Sequence, residues 1–261
     1  MTFKGIRIAL LLTLLVIVAH HQFSERKRFA SWDAPLFIAI YPINADQSSA
    51  AEQAIAGLRR EQFDVAVEWL RQQAARYGIE TPNPLYFELG APITTPPPEP
   101  PVDGGFLDRA LWVARTRWWR FRFDDQDLDP DIIVLARYHD PSQHELLPHS
   151  VGVEQLRFAI ANLFAGRAMQ QTNQVVLMHE LLHTLGATDK YELGTGLPQF
   201  PDGYAEPSKT PVLPQQRAEI MAGRIAVSAT EARQAEHLRQ TIVGPLTARE
   251  IGWTAAATRE P

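Results

Sequence analysis

Between Gln174 and Gly186 the chain reads QVVLMHELLHTLG, and no other run constrains the fold as tightly. Val175, Val176, Leu177, Met178, Leu181, Leu182 and Leu185 make a helix here apolar almost all round. Such a helix has no solvated face and must be buried. It nevertheless carries His179, Glu180 and His183, polar groups whose burial is costly unless something compensates them. Residues four apart project from one face of a helix, so His179 and His183 can aim two imidazole nitrogens at a single metal ion. Glu180 follows the first histidine and points beside that ion, where a base for an attacking water belongs.

Composition narrows the donor set. The 261 residues include no cysteine, which excludes disulfide scaffolds, iron–sulfur clusters, cysteine-based zinc fingers and a cysteine nucleophile. Any zinc site must therefore be built from histidine and carboxylate. A formal charge of −5 argues against a general nucleic-acid binder. Gly186 stands three residues after His183 and Asp189 three after that, giving HELLHTLGATD. A glycine there can end the helix and turn the chain back, so that Asp189 approaches the same ion from outside the helix. His179, His183 and Asp189 would then be three protein ligands, with the fourth position left to water. Glu206 and Glu219 are rival third ligands of the distant-glutamate kind, but neither sits in a clear second helical motif.

The pattern HExxHxxGxxD resembles that of the metzincin clan of zinc metallopeptidases, with aspartate replacing the usual third histidine as in the snapalysin-type variant. The resemblance implies a methionine-containing turn beneath the metal, for which Glu219-Ile220-Met221-Ala222-Gly223 is suitably placed downstream. Several members of the clan carry a transition-state tyrosine two residues after that methionine; here the position is Gly223, so an assisting tyrosine would have to be Tyr191 or Tyr204. The resemblance further implies a twisted mixed sheet, an antiparallel edge strand that binds extended peptide, and a Zn2+-dependent endopeptidase with Glu180 as general base.

The remaining pattern is compatible with one α/β (α+β) domain over 31–261. Leu36 to Tyr41 (LFIAIY), Leu85 to Leu89 and Asp131 to Tyr138 (DIIVLARY) read as strands, and an edge strand is expected within 153–164. Ser49 with Glu52 suggests a capping box, followed by one helix over about 50–77 that ends at Gly78. Phe106 to Arg120 reads as helix, the motif helix spans about 170–186, and Thr247 with Glu250 suggests a capping box opening a final helix through Trp253. Six prolines between Pro92 and Pro101 make 91–101 an extended surface loop or linker.

Residues 1–30 read as a separate segment. Lys4 and Arg7 precede an apolar run from Ile8 to Ala19, and no small-x-small cleavage site follows convincingly, which favours an uncleaved signal anchor over a removed signal peptide. The segment carries +4 (Lys4, Arg7, Arg26, Lys27 and Arg28 against Glu25), leaving −9 on the remainder. The expectation is thus a membrane-anchored protein with an exported domain and a peptide or protein substrate. The alternative is a non-proteolytic zinc-binding protein of envelope assembly or interaction. A third class, a membrane-surface or nucleic-acid binder, would use the cationic aromatic stretch Arg115 to Phe123 (RTRWWRFRF), which otherwise reads as a half-buried helix-to-strand segment with snorkelling arginines. Alternating Asp125, Asp127, Asp129 and Asp131 resemble a calcium loop but carry Pro130 where glycine is needed. His139, His144 and His149 read as polar surface.

Overall fold

The computed structural model describes residues 31–101, 104–123 and 128–254, with Arg7, Ile8, Leu12, Thr13, Val16 and Phe29. The expected N-terminal anchor lies largely outside these residues, as do Asp125 and Asp127. Among the described residues no helix is long and apolar enough to cross a membrane.

Apolar runs such as LFIAIY and IIVLA have no alternation, the signature of strands covered on both faces. They form a five-stranded mixed sheet from β1 (Leu36–Asn44), β2 (Leu85–Leu89), β3 (Ile132–His139), β4 (Val151–Val153) and β5 (Phe158–Phe164). Its order is β2-β1-β3-β5-β4. The first four of these are parallel, and β4 alone runs antiparallel, pairing Val151 with Ile160 and Val153 with Phe158. The edge strand expected within 153–164 is therefore two strands. Residues 158–164 are parallel to β3 and nearly all buried, and the antiparallel edge is the short stretch just before them.

One face of the sheet, through Ile38, Ile40, Val134 and Ala161, packs on α1 (Ser49–Ala56), α2 (Asp64–Ala75) and α4 (Gln170–Thr184). The other, through Tyr41, Leu135, Phe158 and Ile160, meets Val113 and Trp119 of α3 (Phe106–Arg122). The proline-rich segment lies along α3, where Trp112 and Trp119 donate their indole N–H groups to the Pro98 and Thr95 carbonyls. α3 stays helical through Arg122, correcting the helix-to-strand reading: Trp112 and Thr116 are buried, whereas Trp118 and Phe121 are exposed.

Three further expectations need correction. The helix over 50–77 is two, because Gly57 closes α1 and a 3-10 turn at Arg60–Phe63 leads into α2; glycine is a poor helix-interior residue. The cap of α1 is Ser48, whose hydroxyl accepts the Ala51 N–H at 3.1 Å, not Ser49. Beyond β6 (Ala218–Glu219) and Met221 the chain is mainly short strands, β7 (Arg224–Ala226), β8 (Ala232–Gln234) and β9 (Thr241–Ile242). The final helix α5 (Pro245–Glu250) starts at Pro245, a residue suited to a first helical position, and buries Thr247 rather than using it as a cap. Trp253 packs edge-on against Trp32, whose indole donates to the Ile251 carbonyl at 2.7 Å, joining the two ends of the domain.

Candidate metal centre

The motif helix α4 is buried as its apolar girth requires: Leu177, Met178, Leu181 and Leu182 are at most 1% exposed. Each such side chain contributes about 1.5–3 kcal/mol, which holds the helix against β5 and fixes the direction of its polar residues. The helix ends at Thr184, and Gly186 takes φ 101°, a left-handed value that only glycine adopts easily. The Ala187 N–H returns to the Leu182 carbonyl, and the chain doubles back past His183.

That reversal brings Asp189 to the histidines. The Nε2 atoms of His179 and His183 lie 3.1 Å apart, and Asp189 Oδ1 is 3.1 Å from each. The opposite ring nitrogens face backbone carbonyls: His179 Nδ1 is 3.0 Å from Ile220 O, and His183 Nδ1 is 2.7 Å from Ala187 O. A carbonyl only accepts, so both rings carry their proton on Nδ1 and turn the Nε2 lone pair inward. Three lone-pair donors facing one another at this distance repel unless a proton or a metal ion sits among them. Tetrahedral zinc with bonds of about 2.0–2.1 Å separates its ligand atoms by about 3.3 Å. The three residues fit such an ion.

Without a metal His179 holds its proton tightly. Burial disfavours the imidazolium of His179, but the Asp189 carboxylate and the Glu180 charge outweigh it and lift the group to about 9. Burial would raise Asp189, yet the two imidazoles outweigh that and hold it well below the usual carboxylate range. Glu180 is 5% exposed, and its Oε2 has no hydrogen-bond partner among the described residues. Burial pushes its carboxyl up against the opposing pull of His179 and His183. A buried, unpartnered carboxylate is expensive and belongs to a working site more often than to a scaffold.

Asp189 is braced from both sides. Glu250 of α5 accepts the Thr188 N–H at 3.0 Å and the Thr188 hydroxyl at 2.8 Å. It also pairs at 2.8 Å with Lys190 Nζ, on a side chain only 4% exposed. The Lys190 backbone N–H reaches the Met221 carbonyl at 3.0 Å. Glu250, read from the sequence as a cap, is a clamp on the segment that presents Asp189. No local pattern could announce a contact between residues 188–190 and residue 250.

The segment Glu219–Gly223 is a turn beneath this clamp. Ala222 and Gly223 donate to the Glu219 carbonyl, the Ile220 carbonyl orients His179, and the Met221 side chain is fully buried in the main core. Glu219 is no metal ligand. Its carboxylate is wholly buried and accepts the Met221 N–H at 2.6 Å and the Gly244 N–H at 2.9 Å. Glu206 lies 3.7 Å from Arg217 and outside the cluster. Tyr191 stands beside the site, its ring centroid 6.4 Å from that of His179. Burial and the neighbouring Asp189 and Glu180 charges raise that phenol to about 12. Tyr204 instead packs against Phe200.

The antiparallel edge strand borders the centre. A Cβ on Gly152 would lie 2.3 Å from the Glu180 carbonyl oxygen and 2.5 Å from His183 Cβ, so glycine alone lets β4 press against α4 at the motif. His149, just before β4, is exposed and close enough to Glu180 to oppose its upward shift. His139 is not surface: at the end of β3 it is 5% exposed. Asp131 accepts the Phe37 N–H at 2.9 Å and so ties β3 to β1, a structural duty.

No protein-family model matches the chain, and no curated protein is similar to it in sequence. Among solved structures it is similar to wild-type OgpA from Akkermansia muciniphila, with 11% identity and a TM-score of 0.35 over 87% of this chain and 65% of that one. The chain thus corresponds to less than two thirds of that protein's length.

Proposed function

We propose that the protein is a zinc-dependent endopeptidase with a metzincin-like domain, His179, His183 and Asp189 holding the ion and Glu180 serving as general base and acid. The observation that carries this reading is the convergence of three inward lone-pair donors at 3.1 Å beside the buried, unpartnered Glu180 Oε2. A bound zinc ion would polarise a carbonyl and acidify water. Glu180 is placed to take the proton of an attacking water, and its raised affinity for that proton suits it to hold and then return it to a leaving nitrogen. Tyr191, whose ring lies beside His179, would donate a hydrogen bond toward the developing negative charge, and its high pKa keeps it a donor across neutral pH.

The rim supports an extended substrate. β4 has its sheet neighbour, β5, on one side only, and its free edge can receive a peptide strand through main-chain hydrogen bonds. The apolar, positively flanked N-terminal segment supports an exported, membrane-anchored protein. An assembly or interaction protein with a purely structural zinc site gives no role to the unpartnered Glu180 oxygen. Digestion of a denatured peptide mixture by the full chain, with and without a chelator, separates the two: the enzyme gives chelator-sensitive new termini, and an interaction protein gives none.

A further inference from the structure

We propose a second divalent-cation site, formed by Asp46, His139 and His144 at the carboxyl ends of β1 and β3. One ligand atom from each of these residues lies within 4.8 Å of those of the other two. They come from separate parts of the chain. Asp46 follows β1, His139 ends β3, and His144 lies in the segment that leads from β3 to β4.

The hydrogen bonds around His139 settle which of its nitrogens is free. Asn162 of β5 donates from Nδ2 to the His149 carbonyl at 3.0 Å, which fixes its side-chain amide with Oδ1 turned toward His139. Oδ1 only accepts, so the His139 Nε2 that lies 3.0 Å from it carries the proton. Nδ1 is then left with a lone pair. That atom is buried, on a residue 5% exposed, and has no hydrogen-bond partner among the described residues. An orphaned acceptor in the interior is costly unless something meets it. A ring whose far N–H is held by an amide carbonyl is the arrangement proteins use to orient a metal-ligating histidine.

The partners are equally prepared. Asp46 is anchored by the Ser48 N–H at 3.0 Å on Oδ1 and the Asp140 N–H at 2.6 Å on Oδ2. His144 Nε2 is 3.5 Å from Asp46 Oδ2, close to the separation of two ligands on one tetrahedral ion, about 3.3 Å. The His139 and His144 rings meet edge to face at 5.3 Å. Two imidazoles and one carboxylate suit a first-row divalent cation such as zinc rather than calcium or magnesium, which prefer all-oxygen sites. A cation here would pin the segment 140–150 to the sheet, and that segment feeds β4. Asn162 reinforces the link, because its backbone N–H bonds Ser150 Oγ at 2.9 Å.

The test is zinc stoichiometry of the full chain at equilibrium with micromolar free Zn2+, compared with His144→Ala, His183→Ala and the double variant. His144 is part-exposed and in a loop, so its loss leaves the core intact. The expected result is two ions in the wild type, one in each single variant and none in the double variant. His144→Ala keeps chelator-sensitive cleavage if the protein is a peptidase. Loss of the ion in His183→Ala alone, with His144→Ala binding as much zinc as the wild type, overturns the second site and leaves the first untouched. The reverse pattern upholds the second site and overturns the first.

Discussion

Glu250→Gln tests whether the third ligand is positioned by its distant clamp. The substitution keeps the size of the side chain but removes the charge that faces Lys190 Nζ at 2.8 Å, and it turns one of two acceptors into a donor. Oε2 receives both the Thr188 N–H and the Lys190 ammonium, so an amide nitrogen there would meet two donors. Lys190, 3% exposed, keeps only the Thr188 carbonyl and hydroxyl, each at 2.7 Å. Breaking a buried ion pair costs about 3–5 kcal/mol. Glu250 is 20% exposed and Lys190 retains two neutral acceptors, which brings the expected loss to about 2–3 kcal/mol. For a domain of this size that lowers Tm by about 4–12 °C. If the clamp also holds Asp189 in place, zinc affinity at the His179–His183–Asp189 cluster falls about 10–100-fold, as for other residues that orient metal ligands. Competition with a chromophoric chelator, in the His144→Ala background so that one ion is counted, reads this directly. A Tm loss with zinc affinity unchanged within twofold refutes the positioning role; no Tm loss refutes the clamp itself.

Three other outcomes follow from the same geometry. Gly152→Ala puts a Cβ against the backbone of α4 and should displace β4, costing about 1–3 kcal/mol in thermal denaturation; an unchanged Tm would show that β4 does not press on the motif. Tyr191→Phe should keep zinc and lower kcat by about 10²-fold with little change in KM, and a kcat within twofold of wild type would remove Tyr191 from the reaction. Zinc must displace the proton that His179 holds up to about 9 in the metal-free protein. Affinity should therefore rise about tenfold per pH unit from 7 to 9 and then level off, with proton release visible by calorimetry in two buffers. The metal-free fold shows the linked effect. A histidine raised above its unfolded value of about 6.5 stabilises fully below that pH, and the stabilisation is lost as pH climbs through 9. A metal-free Tm that rises over this interval would contradict the assigned pairing with Asp189.

Local pattern carried the centre itself. The all-round apolar girth of 174–185 demanded a buried helix, the four-residue spacing put both histidines on one face, and Gly186 announced the reversal that delivers Asp189. Strands β1 and β3 were legible because burial on both faces leaves unbroken apolar runs. What was not legible depends on contacts remote in sequence. Glu250 imitates a capping residue until the fold sets it against Thr188 and Lys190. His139 looked like a loop histidine because its spacing from His144 is irregular, and the approach of Asp46 to both requires β1 and β3 to lie side by side. Ser49 has the capping-box partner Glu52 in sequence, yet Ser48, with extended backbone and its side chain on the Ala51 N–H, takes the cap.

The most direct test of the central claim compares wild type and Glu180→Gln for zinc content and for cleavage of a denatured peptide mixture. The amide fills the same buried space but cannot take a proton from water. Glu180 as general base at a zinc centre predicts equal zinc in the two proteins, chelator-sensitive cleavage by the wild type and loss of cleavage in the variant. Undiminished cleavage by Glu180→Gln, or a wild type that holds zinc and cuts nothing, would contradict it.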